Sequence, residues 1–383
     1  MRHMQCLRVD QNSPYQQLIG VGGVGTGIFF ELEGNHTLGR NESRLGRLLD
    51  VRDYCKLHIV IHYIAKLLGT RLSESAFRIT PIAMVGDDGV GQRVIREMKE
   101  VGIDTARIQI VPGAPSLFSV CFQYPDGTGG NLTTSNSAAG LLSSRDIDEI
   151  ADLLSAGTRR TIALAVPEVP LEVRRHFLQL ATRTGSVCVA SFAAMEVGPA
   201  WDLGMFDLLD LVSLNENEGE ELVDCTFSAE SPELFVRKCQ ELLRASHPQL
   251  KVIITAGELG AYGITVKEYN FCPAAPVKVA STAGAGDALL GGVIAGLATG
   301  LPFLSARSAG HGMGPIESAL QLGVLLGSYK CLSPHTIHPH ACLDTLLEFA
   351  ESQGLSCSPE LENLLVRDTV AQSPISDIPR GAW

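Results

Sequence analysis

Residues 281–297 decide the fold and read Ser-Thr-Ala-Gly-Ala-Gly-Asp-Ala-Leu-Leu-Gly-Gly-Val-Ile-Ala-Gly-Leu. The apolar run after Asp287 predicts a helix, because Gly300 stands just past its end. The first amides of a helix lack partners within it and carry the positive end of its dipole, so they favour a phosphate or a developing anion. Gly284 and Gly286 have no Cβ and let the backbone approach that anion closely.

Asp287 follows these glycines directly, where a base must lie to take a proton from a hydroxyl that attacks a phosphoryl group. Taken alone, the same residues also fit a glycine-rich turn with Asp287 as an ordinary helix N-cap. Gly291, Gly292 and Gly296 weaken this alternative, since each costs roughly 1 kcal/mol against Ala in a helix interior. Such a helix needs a compensating reason, and we expect very close packing beside the site.

The stretch from Ser281 to Asp287 resembles the second signature of the PfkB/ribokinase family of carbohydrate and nucleoside kinases, Asp-Thr-x-Gly-Ala-Gly-Asp. Six of the seven positions fit, and Ser281 stands where the family usually has Asp. The resemblance implies that Gly284, Ala285 and Gly286 form the anion hole and that Asp287 is the catalytic base. Because Ser281 replaces the family's first Asp, any metal or monovalent-ion role of that Asp is affected. The role of Asp287 as base is not.

Composition describes a globular protein that acts on a small molecule. The 383 residues are 45% hydrophobic and 19% charged, and the net charge of −12 argues against nucleic acid or an anionic membrane as the partner. The ten cysteines are scattered without a Cys-x-x-Cys pair, as expected for buried thiols in a reducing compartment. The polar N-terminus lacks a signal-peptide pattern and no apolar run reaches the ~18 residues of a spanning helix, so we expect a cytoplasmic protein.

Short apolar runs alternate with helical stretches from residue 161 to 256, which predicts a mostly parallel sheet covered by helices on both faces. The expected fold is α/β and ribokinase-like, with a kinase domain at 1–355 and a polar, loosely held tail at 356–383. Alternating strand patterns at about 28–53 and 115–135 predict a small β lid beside the main sheet. In the family such a lid covers the sugar site and often makes a dimer contact, so a homodimer through the lid is expected.

A Gly-x-Gly-x-x-Gly match at Gly20, Gly22 and Gly25 suggests a nicotinamide-dependent enzyme at first sight. The dinucleotide fingerprint must open a helix. Here an aromatic, alternating strand pattern follows at residues 28–33. We therefore interpret the glycines as part of a first core strand running into a second.

Asn215-x-x-Glu218 follows a predicted strand and resembles the family motif that holds Mg²⁺ through waters beside the nucleotide phosphates. Taken alone, Asn and Glu at a strand-to-helix junction are equally well ordinary caps. Thr255-Ala256-Gly257-Glu258-Leu259-Gly260 resembles the family's Thr-x-Gly-x-x-Gly nucleotide turn. The resemblance thus implies ATP and Mg²⁺, with Glu218 toward the metal and nucleotide-binding positions at Asn215, Glu218, Thr255, Gly257, Gly260 and Thr282.

The N-terminal substrate signature departs from the family, which usually has an Asp at the end of the first strand and a Gly-Gly-x-x-x-Asn stretch before the first helix. This chain has Gly25-Thr26-Gly27 and Arg52-Asp53-Tyr54-Cys55-Lys56 instead. Asp53 and Lys56 lie near the matching place and are the candidate substrate contacts. A solvated helix start explains either residue as well.

The last group of candidate functional residues is His335, His338 and His340. A zinc site is disfavoured, because no Cys or carboxylate cluster completes it. We expect a nucleotide-pocket or capping role.

Together these features predict an ATP-dependent kinase that phosphorylates an alcohol of a sugar or sugar-like molecule. Two alternatives remain open. A nucleoside kinase fits the same motifs, and a non-catalytic sugar- or nucleotide-binding regulator on the same fold would explain the altered substrate signature. A binding module has no need of Asp287, which favours the enzyme.

Overall fold

The computed structural model describes residues 4–71, 76–126, 129–156, 160–306 and 314–368. The strands are β1 (Met4–Leu7), β2 (Gln17–Val21), β3 (Gly25–Leu32), β4 (Gly46–Tyr54), β5 (Arg78–Gly86), β6 (Ile108–Val111), β7 (Leu117–Gln123), β8 (Gly129–Thr133), β9 (Thr161–Ala165), β10 (Val187–Ser191), β11 (Leu211–Asn215), β12 (Lys251–Thr255), β13 (Gly260–Ile264), β14 (Tyr269–Pro273) and β15 (Leu365–Asp368). The helices are α1 (Lys56–Leu68), α2 (Gly89–Glu100), α3 (Ser144–Asp148), α4 (Ala151–Ala156), α5 (Leu171–Arg183), α6 (Val197–Asp202), α7 (Glu216–Val223), α8 (Pro232–Ser246), α9 (Ala285–Thr299), α10 (Ala319–Lys330), α11 (Leu343–Ser352) and α12 (Pro359–Asn363).

The main sheet has nine strands in the order β14-β13-β12-β11-β10-β9-β2-β5-β6. The seven from β12 to β6 are parallel, and β13 and β14 are antiparallel. Strands β5 and β6 follow β2 on one side of the sheet, and strands β10 to β14 follow β9 on the other. The strand order therefore reverses between β2 and β9. In open α/β sheets ligands bind at the carboxyl ends of the strands beside such a reversal. The predicted mostly parallel α/β sheet is confirmed.

A second, four-stranded sheet in the order β4-β3-β7-β8 stands beside the main one. Its strands fall within or close to the two ranges predicted for the lid. A short connection joins it to the main sheet, since only three residues separate β2 from β3. The predicted interpretation of Gly20, Gly22 and Gly25 is confirmed, because the glycines connect two strands and open no helix.

Helix α9 is almost entirely buried, and its glycines are the points of closest approach to its neighbours. A Cβ on Gly291 would lie 3.0 Å from Val60 O of α1, and one on Gly292 would lie 2.8 Å from Gly323 Cα of α10. A Cβ does not fit at Gly292, and at Gly291 it would require Val60 O to move by a few tenths of an ångström. The close packing that we expected as compensation for a glycine-rich helix is therefore present, and it fixes the amino end of α9 between α1 and α10.

The C-terminal segment differs from the prediction of a loosely held tail from residue 356. Ser358 caps α12 by accepting from Leu361 N at 3.2 Å, and Leu361 is completely buried. β15 pairs antiparallel with β1, so residues 4–7 and 365–368 share a small sheet. The expectation of a loosely held segment was wrong for 358–368, because Leu361 joins the core and Leu364 and Leu365 pack against it. The rest of the predicted tail lies outside the described residues.

Within the described ranges, no helix is both long and apolar enough to cross a membrane.

Candidate active site

Lys56, Glu218 and Asp287 lie close together in one cleft at the carboxyl ends of the parallel strands, since both carboxylates raise the pKa of Lys56. β2 leads into the turn at Gly22 and Gly23, and β9 leads into the loop that carries Glu168. The amino ends of α1 and α9 meet the same cleft, α1 with Lys56 and α9 with Asp287 in its first turn. The cleft thus combines two helix starts with several carboxylates at the reversal of strand order.

Lys56 and Asp287 face each other across this cleft. Lys56 Nζ lies 3.8 Å from Asp287 Oδ1, and the two side chains are 37% and 13% exposed. Asp287 is the main cause of the raised pKa of Lys56, so the ammonium stays protonated beside the carboxylate. The structure thus places one candidate substrate contact next to the candidate base, and Lys56 is not merely a solvated helix start.

The predicted anion loop has the geometry of a helix start with unpaired amides. Gly284 is the N-cap of α9 with φ of 79°, a left-handed conformation that favours glycine, and a Cβ there would lie 2.9 Å from Thr336 O. The Ala285 amide donates to Thr282 O at 3.0 Å. The amides of Gly284, Gly286 and Asp287 have no hydrogen-bond acceptor among the described residues.

The loop therefore differs in one respect from the prediction. Ala285 turns its amide back to Thr282 O, which closes the turn that precedes the helix. A Cβ on Gly286 would meet no atom within 4 Å, so the space in front of this residue is open. The amides that remain to bind an anion are those on either side of Ala285.

Asp53 lies at the end of β4 on the lid and is only 7% exposed, which rules out a solvated helix start. Its Oδ2 accepts from Ser119 Oγ at 3.3 Å and lies 3.7 Å from Cys121 Sγ, both on β7. Burial raises the pKa of Asp53. Gly27 of β3 makes room for this carboxylate, because a Cβ there would lie 2.3 Å from Asp53 Oδ2.

Glu168 is a site residue that the sequence analysis missed. Its Oε2 accepts from the backbone amide of Lys56 at 2.9 Å and so caps α1. Burial raises the pKa of Glu168 to about 7, and the neighbouring Lys56 ammonium opposes that shift. Its φ is 78°, unusual for a residue with a side chain. The signal in the sequence was a carboxylate between two prolines directly after a buried strand.

Asn215 and Glu218 form the capping box of α7. Asn215 Oδ1 accepts from Glu218 N at 2.9 Å, and Glu218 Oε2 accepts from Asn215 N at 2.8 Å. The capping alternative of the sequence analysis thus describes these contacts. Burial raises the pKa of Glu218, Lys56 lowers it and Asp287 raises it, so Glu218 shares the electrostatic environment of the cleft.

These donors suit a magnesium ion bound mainly through water. Mg²⁺ keeps several waters and takes only one or two carboxylates together with substrate phosphates. Glu218 and Asp287 are hard oxygen donors in one cleft. The described ranges contain no group of three metal-ligating side chains, and this holds for His335, His338 and His340 as well.

The predicted nucleotide turn follows β12, the sheet neighbour of β11. Thr255 pairs with Asn215 in the parallel register, so both stand at the same edge of the sheet. Gly257 and Gly260 have φ of 52° and 125°, and a Cβ on Gly260 would lie 2.1 Å from Cys272 O. Both glycines are needed for the turn itself. Thr282 lies exposed at the start of the anion loop.

The histidine segment packs between the lid and the anion loop. His335 Nδ1 accepts from Arg52 N at 3.0 Å, and the ring of His338 stacks on Tyr329 with centroids 4.4 Å apart. Thr336 links the two sides, since its Oγ1 accepts from Tyr54 N at 2.9 Å. The described contacts of His335 and His338 are structural, and their predicted nucleotide-pocket role stays a prediction.

Comparison with known proteins agrees with the fold. The family model for the pfkB family carbohydrate kinases matches residues 60–341. The ribokinase of Dictyostelium discoideum is 23% identical over 223 residues, which cover 55% of this chain and 69% of the relative. The deoxyribokinase of Salmonella typhi is 26% identical over 225 residues, which cover 56% and 67%.

Solved structures share the fold. The Cryptococcus neoformans ribokinase in complex with ADP superimposes with a TM-score of 0.69 at 19% identity, covering 87% of this chain and 99% of that one. A Burkholderia thailandensis nucleoside kinase in complex with inosine has a TM-score of 0.64 at 16% identity, covering 88% and 98%. A neighbour from Escherichia coli that contains ATP and Mg²⁺ has a TM-score of 0.65 at 16% identity, covering 88% and 99%.

Proposed function

Because this chain belongs to the pfkB family of carbohydrate kinases, we propose that it transfers the terminal phosphoryl group of ATP to an alcohol of a sugar or sugar-like molecule. One observation carries the proposal. The Asp287 carboxylate lies in the first turn of α9, beside unpaired amides and 3.8 Å from the Lys56 ammonium. Positioning and electrostatic stabilisation account for most of the catalysis of phosphoryl transfer, and this cleft offers both.

In the proposed reaction Asp287 accepts the proton of the acceptor hydroxyl while that oxygen bonds to phosphorus. The bond between phosphorus and the leaving oxygen breaks, and ADP is released. The amides of Gly284 and Gly286, which lack acceptors within the described residues, stabilise the charge of the transferring group. Lys56 balances the negative charge of the carboxylate and of the phosphoryl group on the same side.

The nucleotide side of the cleft is assigned to the edge formed by β11 and β12. Mg²⁺ bound with ATP supplies charge neutralisation for the phosphates. Glu218, held by Asn215, orients the waters on that side. Thr255, Gly257 and Gly260 border the same edge and, together with Thr282 of the anion loop, are the proposed nucleotide contacts.

The acceptor side is assigned to Asp53 and Glu168. Both are carboxylates with raised pKa values at one cleft. A carboxylate oxygen binds a hydroxyl by accepting a hydrogen bond from it. Two such acceptors on different elements suit a molecule with several hydroxyls. A nucleoside carries a ribose with the same groups, so the nucleoside kinase remains a second candidate, supported by the fold shared with the inosine-bound neighbour.

The test is ATP consumption by the purified chain with Mg²⁺ against a panel of sugars, sugar phosphates and nucleosides. We expect acceptor-dependent turnover that Asp287→Asn lowers about 10²–10⁴-fold, with ADP binding retained. Asp152→Asn is the matched control, since Asp152 also lies in the first turn of a helix but is exposed.

Undiminished turnover in Asp287→Asn would remove this residue from the role of base. ATP binding without turnover on any acceptor would favour the non-catalytic regulator.

A further inference from the structure

Lys330 is a buried cation that the proposed reaction does not use. It is the last residue of α10, and its side chain is 0% exposed. Its Nζ donates to Ser281 O at 2.9 Å, the carbonyl at the start of the anion loop. A buried ammonium is costly unless it is paired, yet no ion pair to Lys330 occurs among the described residues. Its retention beside the loop calls for a reason.

The packing of α10 against α9 delivers Lys330 to this place. The helices run antiparallel, since Gly323 meets Gly292 in the middle and Gly327 lies beside Ala285 O at the amino end of α9. Small residues at these contacts let the two backbones approach closely. The carboxyl end of α10 therefore lies directly beside the amino end of α9.

This arrangement creates an electrostatic conflict that a cation resolves. The carboxyl end of a helix carries partial negative charge, and the amino end of α9 is proposed to bind an anion. The backbone also joins the two, because Cys331 O accepts from Ala280 N at 2.8 Å. The Lys330 ammonium lies between the end of α10 and the loop, where it offsets that negative charge.

We infer that Lys330 is a positioning residue whose ammonium holds the anion loop through Ser281 O and supplies a fixed positive charge behind it. This rests on the proposed function of the loop as an anion site. Ser281 provides only a neutral carbonyl, so the bound ammonium keeps its full charge. Because the charge is built into the chain, turnover should need no dissociable monovalent cation at this position.

The groups around Lys330 agree with a charge that is present at neutral pH. Burial lowers the pKa of Lys330 to about 8, against the opposing effect of Cys331, Asp53 and Asp287. In turn Lys330 contributes to the lowered pKa of His335 and His338. The ammonium is therefore mostly protonated at pH 7 and is lost as the pH rises through about 8.

The experiment compares wild type, Lys330→Met and Lys330→Ala as full-length chains. Met preserves the length of the side chain, and replacing a buried charge by an apolar group is often neutral for folding. Lys66→Met is the control, because burial also lowers the pKa of Lys66 on α1. Acceptor-dependent turnover is measured in potassium, sodium and tetramethylammonium chloride, from pH 6.5 to 9.5, with and without methylamine.

We expect wild-type turnover to change less than twofold between the three salts and to fall above about pH 8. Lys330→Met and Lys330→Ala should lower kcat about 10²–10³-fold with little change in the Kd for ADP, because the charge acts on the transferring group. Methylamine should raise the activity of Lys330→Ala at least tenfold, and tetramethylammonium should not raise it. A structural role alone would not give rescue by a small cation.

A folded Lys330→Met with wild-type turnover would overturn the inference and leave the proposed function intact. The inference would also be overturned if methylamine gave no rescue and turnover fell only in proportion to the loss of folded protein. The stabilisation of wild type against unfolding by ADP with aluminium fluoride is compared with that by ADP alone. This comparison tests the proposed function separately from the inference about Lys330. If wild type shows neither this stabilisation nor turnover, the proposed function fails and the inference fails with it.

Discussion

A methyl group added at Gly286 distinguishes an anion site from an ordinary helix start. The structure leaves the position of this methyl open, since a Cβ there would meet no atom within 4 Å. Ala is favoured over Gly in helices by up to about 1 kcal/mol, so Gly286→Ala should leave the free energy of unfolding unchanged or raise it by that amount. The methyl would occupy the space that a phosphoryl oxygen needs to reach an amide at about 2.9 Å.

We therefore expect Gly286→Ala to lower kcat about 10²–10³-fold, the effect of removing one donor to a developing anion. The comparison variant is Gly284→Ala. There the φ of 79° costs about 1–2 kcal/mol for a residue with a Cβ, and the methyl would also lie 2.9 Å from the fixed Thr336 O. Overpacking adds roughly 1–3 kcal/mol, so this variant should lose about 2–5 kcal/mol of stability as well as turnover.

The assay pairs urea unfolding with acceptor-dependent release of ADP, using the acceptor found in the panel. The decisive result is the contrast between the two variants. Turnover of Gly286→Ala within twofold of wild type would refute the anion site, because a methyl in that space could not leave phosphoryl transfer unaffected. Destabilisation of Gly286→Ala equal to that of Gly284→Ala would refute the geometry on which the comparison depends.

Two further predictions concern the acceptor side and the lid. Because the pKa of Glu168 is raised from 4.5 to about 7, its carboxylate ionises late, and kcat/KM for the acceptor should rise with pH through about 7. Glu168→Gln should abolish that rise and raise the acceptor KM about 10–100-fold with the ATP KM unchanged, whereas a pH profile identical to wild type would contradict the role. The lid exposes Leu45, Leu48 and Leu132, which are 74%, 43% and 68% exposed, so we expect a homodimer through this face. Sedimentation should show a dimer that Leu132→Asp weakens at least tenfold, and a monomer at all concentrations would exclude it.

The sequence was most informative where function and local structure depend on neighbouring residues. The helix after Asp287, the glycine-rich loop and the Asn215 cap are each determined within a few positions, and α9 and α7 begin where the pattern indicates. The bounds of other elements are less local, since Glu149 and Ile150 separate α3 from α4 and β11 begins only at Leu211. Periodicity alone does not fix such boundaries.

Contacts between distant parts of the chain could not be predicted in the same way. Glu168 becomes a cap of α1 only because β9 lies beside β2, and that neighbourhood is a property of the whole sheet. Lys330 reaches Ser281 because two helices pack through their glycines. β15 pairs with β1 across almost the full length of the chain. Local pattern holds no information on any of these three pairings.

The altered N-terminal signature gains a physical explanation from the lid. Gly27 lies near the start of β3, and a Cβ there would lie 2.3 Å from the Asp53 carboxylate. Asp53 instead enters from β4, which pairs with Gly27 directly. A glycine on one strand and an acid on its neighbour thus leave a carboxylate beside the cleft. On our proposal the acceptor contact has moved onto the lid, so substitutions of Asp53 should change the acceptor KM and leave ATP binding unchanged.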